Sequence, residues 1–143
     1  MKKLCGASII ILLALVLVFA KSSYSAKIEI ERYRQAIKDS QSEALDAIVV
    51  ELEDSSTQYL SYDAVYQLYF YSQIDPTEKY YKLAVNLLEL TDPTFYAKFS
   101  VDERNRLAND LKKCDTMDDA EYYEFLLTFA ELVSEYWFGG SGE

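Results

Sequence analysis

The chain has 143 residues, a net charge of −10, 13 tyrosines and no histidine. This length suits one domain with one hydrophobic core. The acidic balance argues against binding to nucleic acids or anionic membrane surfaces, because both repel negative charge. The lack of histidine removes the commonest general base and metal ligand, and no glycine-rich phosphate loop or nucleophile motif is present. We therefore expect neither a cofactor nor catalytic activity.

The first 25 residues have the layout of a secretory signal peptide. Two lysines precede an uncharged apolar segment over residues 4–20, and the small residues Ser23 and Ser25 favour cleavage before Ala26. The segment also reaches the lower limit for a membrane-spanning helix, so an uncleaved membrane anchor is the alternative. Cleavage would remove three lysines and no acidic residue, which changes the net charge to −13. We predict a periplasmic or secreted protein that contacts a membrane only if this segment stays attached.

Helix-start signals divide the rest of the chain. Capping boxes begin at Ser40 and Ser100, and aspartate–proline pairs begin at Asp75 and Asp92. Glycine is absent between residues 7 and 138, and sustained strand-like alternation is also absent. The predicted helices extend over residues 27–38, 41–53, 61–73, 76–90, 101–114 and 117–138, with a short helical turn after Pro93 and a flexible tail over residues 139–143.

These signals predict one all-α domain over residues 26–138, with about six helices packed as antiparallel hairpins in an irregular bundle. The helices over 76–90 and 117–138 are apolar on most of their surface, so we expect them at its centre. A helical repeat is the alternative, because the helix starts at Ser40 and Asp75 are 35 residues apart. The spacing of Ala64, Leu68 and Pro76 resembles the second helix and closing proline of a tetratricopeptide repeat.

Tyrosines form the first candidate binding surface. Tyr62, Tyr66 and Tyr69 fall on one face of the helix predicted over 61–73, and Tyr59 lies one turn earlier. A tyrosine offers a large contact area, few rotatable bonds and a polar tip, which is typical of protein-recognition surfaces. Packing of these rings in an ordinary core is the alternative interpretation.

Carboxylates form the second candidate surface. Glu121, Glu124, Glu131 and Glu135 make one stripe along the helix predicted over 117–138, which could attract a basic partner. The alternative is a solvated helix face without a partner.

Cys114 is the only cysteine beyond the predicted signal peptide. It continues the apolar spacing of Leu107 and Leu111, which predicts a buried thiol. An intermolecular disulfide is the alternative.

The combined features predict an exported acidic helical protein-binding module. One form of it is an inhibitor or periplasmic immunity-type protein that binds a basic protein partner through the tyrosine-rich face. A membrane-tethered adapter or scaffold is one alternative. A small carboxylate-dependent hydrolase is another, and it requires two acids facing each other across a cleft. We predict no metal and no nucleic-acid partner.

Overall fold

The computed structural model describes residues 2–75 and 79–138. This part of the chain contains helices and no strand, which confirms the predicted all-α class. It divides into two compact units with a boundary between Ala36 and Ile37. The predicted tail over residues 139–143 lies outside the described residues. The helices are α1 (Lys2–Glu53), α2 (Tyr62–Ile74), α3 (Tyr81–Glu89), α4 (Pro93–Tyr96), α5 (Val101–Leu111) and α6 (Asp119–Phe138).

The first unit consists, in its described part, of the beginning of α1. Every side chain from Val16 to Ala36 is exposed, including the large apolar side chains of Phe19, Ile30 and Tyr33. Among the described residues, no helix has both the length and the hydropathy that crossing a membrane requires. The signal peptide and its cleavage site stay predictions.

The predicted break between two helices at Ser40 is wrong. Helix α1 continues through this residue to Glu53, so the helices predicted over 27–38 and 41–53 are one. A capping box stabilises a helix start by about 1 kcal/mol, but it does not by itself end the preceding helix. The sequence around Ser40 contains neither glycine nor proline. An interruption there would lose backbone hydrogen bonds without relieving any steric conflict.

Two other predicted caps form as expected. Asp92 Oδ1 accepts hydrogen bonds from the backbone amides of Thr94 and Phe95, at 2.7 and 3.3 Å, where α4 begins. Ser100 and Glu103 complete the predicted capping box of α5. Caps of this kind satisfy backbone amides that have no partner within the helix, so they fix where the helix begins.

Three helices are shorter than predicted. Residues 76–78, where one helix start was predicted, lie outside the described residues, and α3 begins at Tyr81 after a turn. Helix α5 ends at Leu111, and a turn replaces its predicted last residues. Helix α6 begins at Asp119. The carboxylate oxygen Oδ1 of Asp118 caps this start, because it accepts hydrogen bonds from the backbone amides of Ala120 and Glu121, both at 2.9 Å.

The core of the second unit is built from residues of all six helices, α1 to α6, and from the loops between them. Burial of these apolar side chains removes their surface from water, which is the main favourable contribution to folding. The backbone amide of Leu60, before α2, donates to the carbonyl of Leu90, after α3, at 3.0 Å. The fully buried apolar side chains include Ile48 of α1, Val65 and Leu68 of α2, Leu83 and Leu87 of α3, Ala108 of α5 and the loop residues Leu60, Leu90 and Cys114.

The expectation that α6 is surrounded by neighbours is wrong. It buries a single face, formed by Tyr122, Leu126, Phe129 and Val133, and it packs against α3. The apolar side chains elsewhere on α6 stay in contact with solvent, because a domain of this size supplies too few helices to cover them. Trp137, for example, is 58% exposed. The antiparallel hairpin arrangement and the tetratricopeptide-like alternative stay predictions.

The position of Trp137 predicts a small contribution to stability. We expect Trp137→Ala to lower the free energy of unfolding by about 1 kcal/mol or less, because the ring is 58% exposed where it packs on Phe95 and donates to Glu89. Leu87→Ala, which empties a fully buried position, should cost about 2–5 kcal/mol. Urea unfolding followed by far-ultraviolet circular dichroism measures both changes without relying on the tryptophan signal. Equal losses for the two variants would contradict the exposed position of Trp137.

Candidate functional site

The tyrosines predicted to form a binding surface form a chain of contacting rings. The rings of Tyr62 and Tyr66 are stacked with centroids 5.4 Å apart, and the Tyr66 and Tyr69 centroids are 6.1 Å apart. Tyr69 also contacts Tyr81 of α3, at 5.5 Å. Aromatic contacts at these distances favour particular ring orientations.

Exposure separates these tyrosines into two groups. Tyr59, Tyr62 and Tyr66 are 51%, 57% and 47% exposed, so core packing does not explain them. Tyr69 is half-buried and packs against the core. Its hydrogen bond with Tyr81, followed by partial burial, raises the pKa of Tyr69. Tyr69 therefore packs between the exposed Tyr66 and the core.

Helix α2 exposes more apolar surface than the tyrosine pattern predicted. Phe70 is 49% exposed and Ile74 is 50% exposed, and both follow Tyr66 at four-residue spacing. Residues four apart lie on the same helix face, so a single row forms along α2. The four-residue spacing of these side chains could have indicated this row, but the sequence analysis considered only the tyrosines. We call this row, made of Tyr62, Tyr66, Phe70 and Ile74, the α2 stripe.

The predicted acidic residues also lie at the surface. Glu121, Glu124, Glu131 and Glu135, which we call the acidic strip, are all exposed on α6. They line a groove between α5 and α6 that contains two adjoining cavities of about 290 and 380 Å³. Within residues 2–75 and 79–138, no member of the acidic strip forms an ion pair.

The α2 stripe and the acidic strip occupy different places in the second unit. Tyr59 and Tyr62 border a surface depression together with Glu51 and Asp63, whereas the acidic strip borders the groove between α5 and α6. These hollows share no residue. The structure thus does not bring the two predicted sets together into one patch.

A polar cavity of about 760 Å³ is a feature that the sequence did not indicate. On its wall, the buried Gln41 side chain donates from Nε2 to Asp75 Oδ2 at 3.2 Å. Lys79 Nζ donates to the carbonyl of Cys114 at 2.8 Å. The Tyr122 hydroxyl donates to the carbonyl of Lys79 at 2.7 Å. The polar side chains of this wall thus form hydrogen bonds that connect α1, α6 and the turns.

Two tyrosine hydroxyl groups of this cavity form hydrogen bonds within the protein. The Tyr80 hydroxyl donates to the Asp115 carboxylate, and burial, reinforced by this bond, raises the pKa of Tyr80. Burial likewise raises the pKa of Tyr122. Both hydroxyl groups therefore keep their protons at neutral pH, and the structure shows them bound within the protein.

Several carboxyl groups are stabilised in their ionised form. Hydrogen bonds from hydroxyl groups and backbone amides lower the pKa of Asp54, Asp92 and Glu103, each beside a loop or a helix start. A general acid needs the opposite shift, because it must hold a proton near neutral pH. Among the residues that the structure describes, no cluster of three or more cysteine or acidic side chains is arranged to hold a metal ion.

Cys114 is buried, as its spacing predicted. Its Sγ atom lies 3.5 Å from the carbonyl oxygen of Asp110, to which it donates a weak hydrogen bond. Burial raises the pKa of this thiol to about 12. A thiol that is both enclosed and protonated is a poor nucleophile.

Comparison with known proteins gives no identification. The chain matches no family model, no curated protein and no solved structure.

The environment of Cys114 predicts low reactivity. At pH 8 we expect a soluble aromatic disulfide reagent to modify the native thiol at least about a hundredfold more slowly than it modifies the chain in guanidinium chloride, because the native thiolate is scarce and enclosed. The release of the coloured thiol, followed by absorbance, measures both rates. Modification of the native protein at the denatured rate would show that Cys114 is accessible.

Proposed function

We propose that the chain after residue 25 is an exported protein-binding module that contacts its partner through the tyrosine-rich face of α2. The observation that carries this proposal is the α2 stripe, four large apolar side chains that are each about half exposed on one helix face. A row of this kind beside a complete core is typical of a protein-interaction surface. The form that suits a small acidic domain best is an inhibitor or immunity-type protein.

The α2 stripe has the properties of a preformed contact surface. Val65, Leu68 and Ser72 anchor the opposite face of the helix in the core, so the exposed row is presented on a fixed support. Stacking of Tyr62 on Tyr66 limits the rotamers that binding would otherwise have to freeze. Ordering side chains costs affinity, so a row that is already ordered binds with a smaller entropic penalty.

The charge of the chain indicates a basic partner. Its net charge is −10, and the exposed carboxylates of the acidic strip are not neutralised by ion pairs within the described residues. Such a field accelerates encounter with a positively charged protein more than it tightens the final complex. The two surfaces thus have different roles, since the α2 stripe supplies contact area and the acidic strip supplies attraction.

An affinity capture experiment tests this proposal. Residues 26–143, immobilised through the C-terminus, are exposed to an extracytoplasmic fraction, and bound protein is eluted with a salt step and identified by mass spectrometry. We expect to recover a basic protein in stoichiometric amount. The purified form of that protein must then bind the purified bait. Recovery of the folded bait alone, at bait concentrations well above micromolar, would contradict the proposal.

The exposed tyrosines give a direct prediction for this complex. Tyr62→Ala combined with Tyr66→Ala should weaken binding of the captured partner by about tenfold to a hundredfold, as loss of aromatic contact residues generally does. The melting temperature should change by only a few degrees, because both rings are about half exposed. Tyr123→Ala, at a 57% exposed tyrosine of α6, is the matched control and should bind normally. Isothermal titration calorimetry measures the three affinities. Equal weakening by the control would remove the special role of α2.

The acidic strip gives a kinetic prediction. Glu124→Lys combined with Glu131→Lys should slow association with the captured partner by about tenfold at low salt, and the difference should shrink at about 0.5 M salt. Glu43→Lys combined with Asp46→Lys makes the same change of charge on α1 and should have a smaller effect. Surface plasmon resonance at several salt concentrations measures the rates. Identical association rates for both double variants would show that net charge alone, and not this strip, attracts the partner.

A further inference from the structure

The groove between α5 and α6 combines charged walls with an apolar floor. Its floor is apolar and consists of Phe125 and Leu132, both partly buried, with Leu107 and Phe129 beneath them. Its α6 wall is the acidic strip. Across from it, Arg106 and Asp110 of α5 form the other wall. An apolar floor between charged walls resembles the arrangement that receives one face of an amphipathic helix.

The dimensions of the groove suit a short helix. The two cavities share Arg106, Asp110, Phe125 and Thr128, so they form one continuous channel along α6. The channel extends from Glu121 to Glu135. At about 1.5 Å per residue this distance is about 21 Å, which equals about four helical turns. We call the channel the α5–α6 groove.

The balance of charge in the α5–α6 groove specifies the sign of its occupant. Six carboxylates and two cations line it, and Lys113 and Arg106 are the cations. The carboxylates are those of Glu103, Asp110, Glu121, Glu124, Glu131 and Glu135. The carboxylates thus exceed the cations by four, which leaves the lining of the groove strongly negative. A helix with lysine or arginine beside its apolar face would meet these charges at close range.

We propose that the α5–α6 groove binds a basic amphipathic helix of the protein partner, with the apolar face of that helix on Phe125 and Leu132. This inference rests on the proposed function, because it assigns a recognition element to the basic partner. The floor supplies the apolar contact, and the acidic strip supplies partners for the flanking cations.

A designed peptide tests the groove before the partner is identified. The probe is a helix-forming peptide of about 16 residues, long enough for the four turns of the groove, with leucines on one face and lysines or arginines on the others. Its counterpart carries glutamates in place of the basic residues. Fluorescence anisotropy measures binding of each peptide to residues 26–143. We expect saturable binding of the basic peptide that weakens as salt is raised, and at least about tenfold weaker binding of the acidic peptide.

A blocking substitution locates the binding site. Thr128 is exposed and lines both cavities, so Thr128→Arg places bulk and positive charge in the middle of the groove. It should weaken binding of the basic peptide at least about tenfold. Ser134→Arg makes the same change of charge at an exposed position of α6 that lines neither cavity, and it should bind normally. If Thr128→Arg melts at a much lower temperature, Glu124→Gln with Glu131→Gln replaces it, with weakening again expected.

Peptide binding to these variants has three informative outcomes. Weakening confined to the groove variants, with peptide-induced NMR shifts at Phe125 and Leu132, supports the inference. Equal weakening by Ser134→Arg, or shifts centred on α2, overturns it. A chain that dimerises alone, and loses this dimerisation with Thr128→Arg, has a second copy in the groove, which also overturns it.

Failure of the groove inference and failure of the proposed function are distinguishable. A captured partner that requires Tyr62 and Tyr66 but is insensitive to Thr128→Arg overturns the groove inference and leaves the proposed function standing. In the opposite case no partner is captured, but Thr128→Arg still weakens binding of the basic peptide and Ser134→Arg does not. The proposed function then fails, while the conclusion that the groove binds basic amphipathic helices stands.

Discussion

The second unit depends on the burial of one face of α3. This helix has only nine residues, Tyr81–Glu89, which is too short to be stable in water without tertiary contacts. Leu83, Ala84 and Leu87 are fully buried on it, and α2 and α6 both contact it. Because α2 and α6 both pack against this short helix, each of them buries a single face and leaves much of its remaining surface in solvent. The exposed α2 stripe and the shallow groove beside α6 are both consequences of that arrangement.

Local features of the sequence predicted local features of the structure. The caps at Asp92 and Ser100 were predicted because each depends on a few adjacent residues, and both form. The break at Ser40 was wrong, since a capping sequence permits a helix start but does not force one. The all-α class followed from helix signals and from the absence of glycine between residues 7 and 138, and the structure confirms it.

Exposure could not be predicted equally well, because it depends on which neighbours a short chain can supply. Tyr62 and Tyr66 were predicted as surface residues from their chemistry, whereas the exposure of Phe70 and Ile74 was not predicted. Trp137 belongs to the helix that was expected at the centre of the bundle, yet it lies at the surface. The glutamates of α6 were recognised as a stripe, but the apolar groove beside them arises only from the separation of α5 and α6. The polar cavity combines residues that are far apart in sequence, so no spacing could reveal it.

The burial of Cys114 determines how covalent dimers of this protein can form under oxidising conditions. Its thiol lies in the middle of the turn after α5 and is fully buried, so two native molecules cannot join through it. Only a molecule whose α5–α6 connection has opened can expose this sulfur to an oxidant or to another thiol. Under oxidising conditions, covalent dimers would therefore accumulate as a cumulative record of opening events, and they would do so at a rate set by the stability of that region.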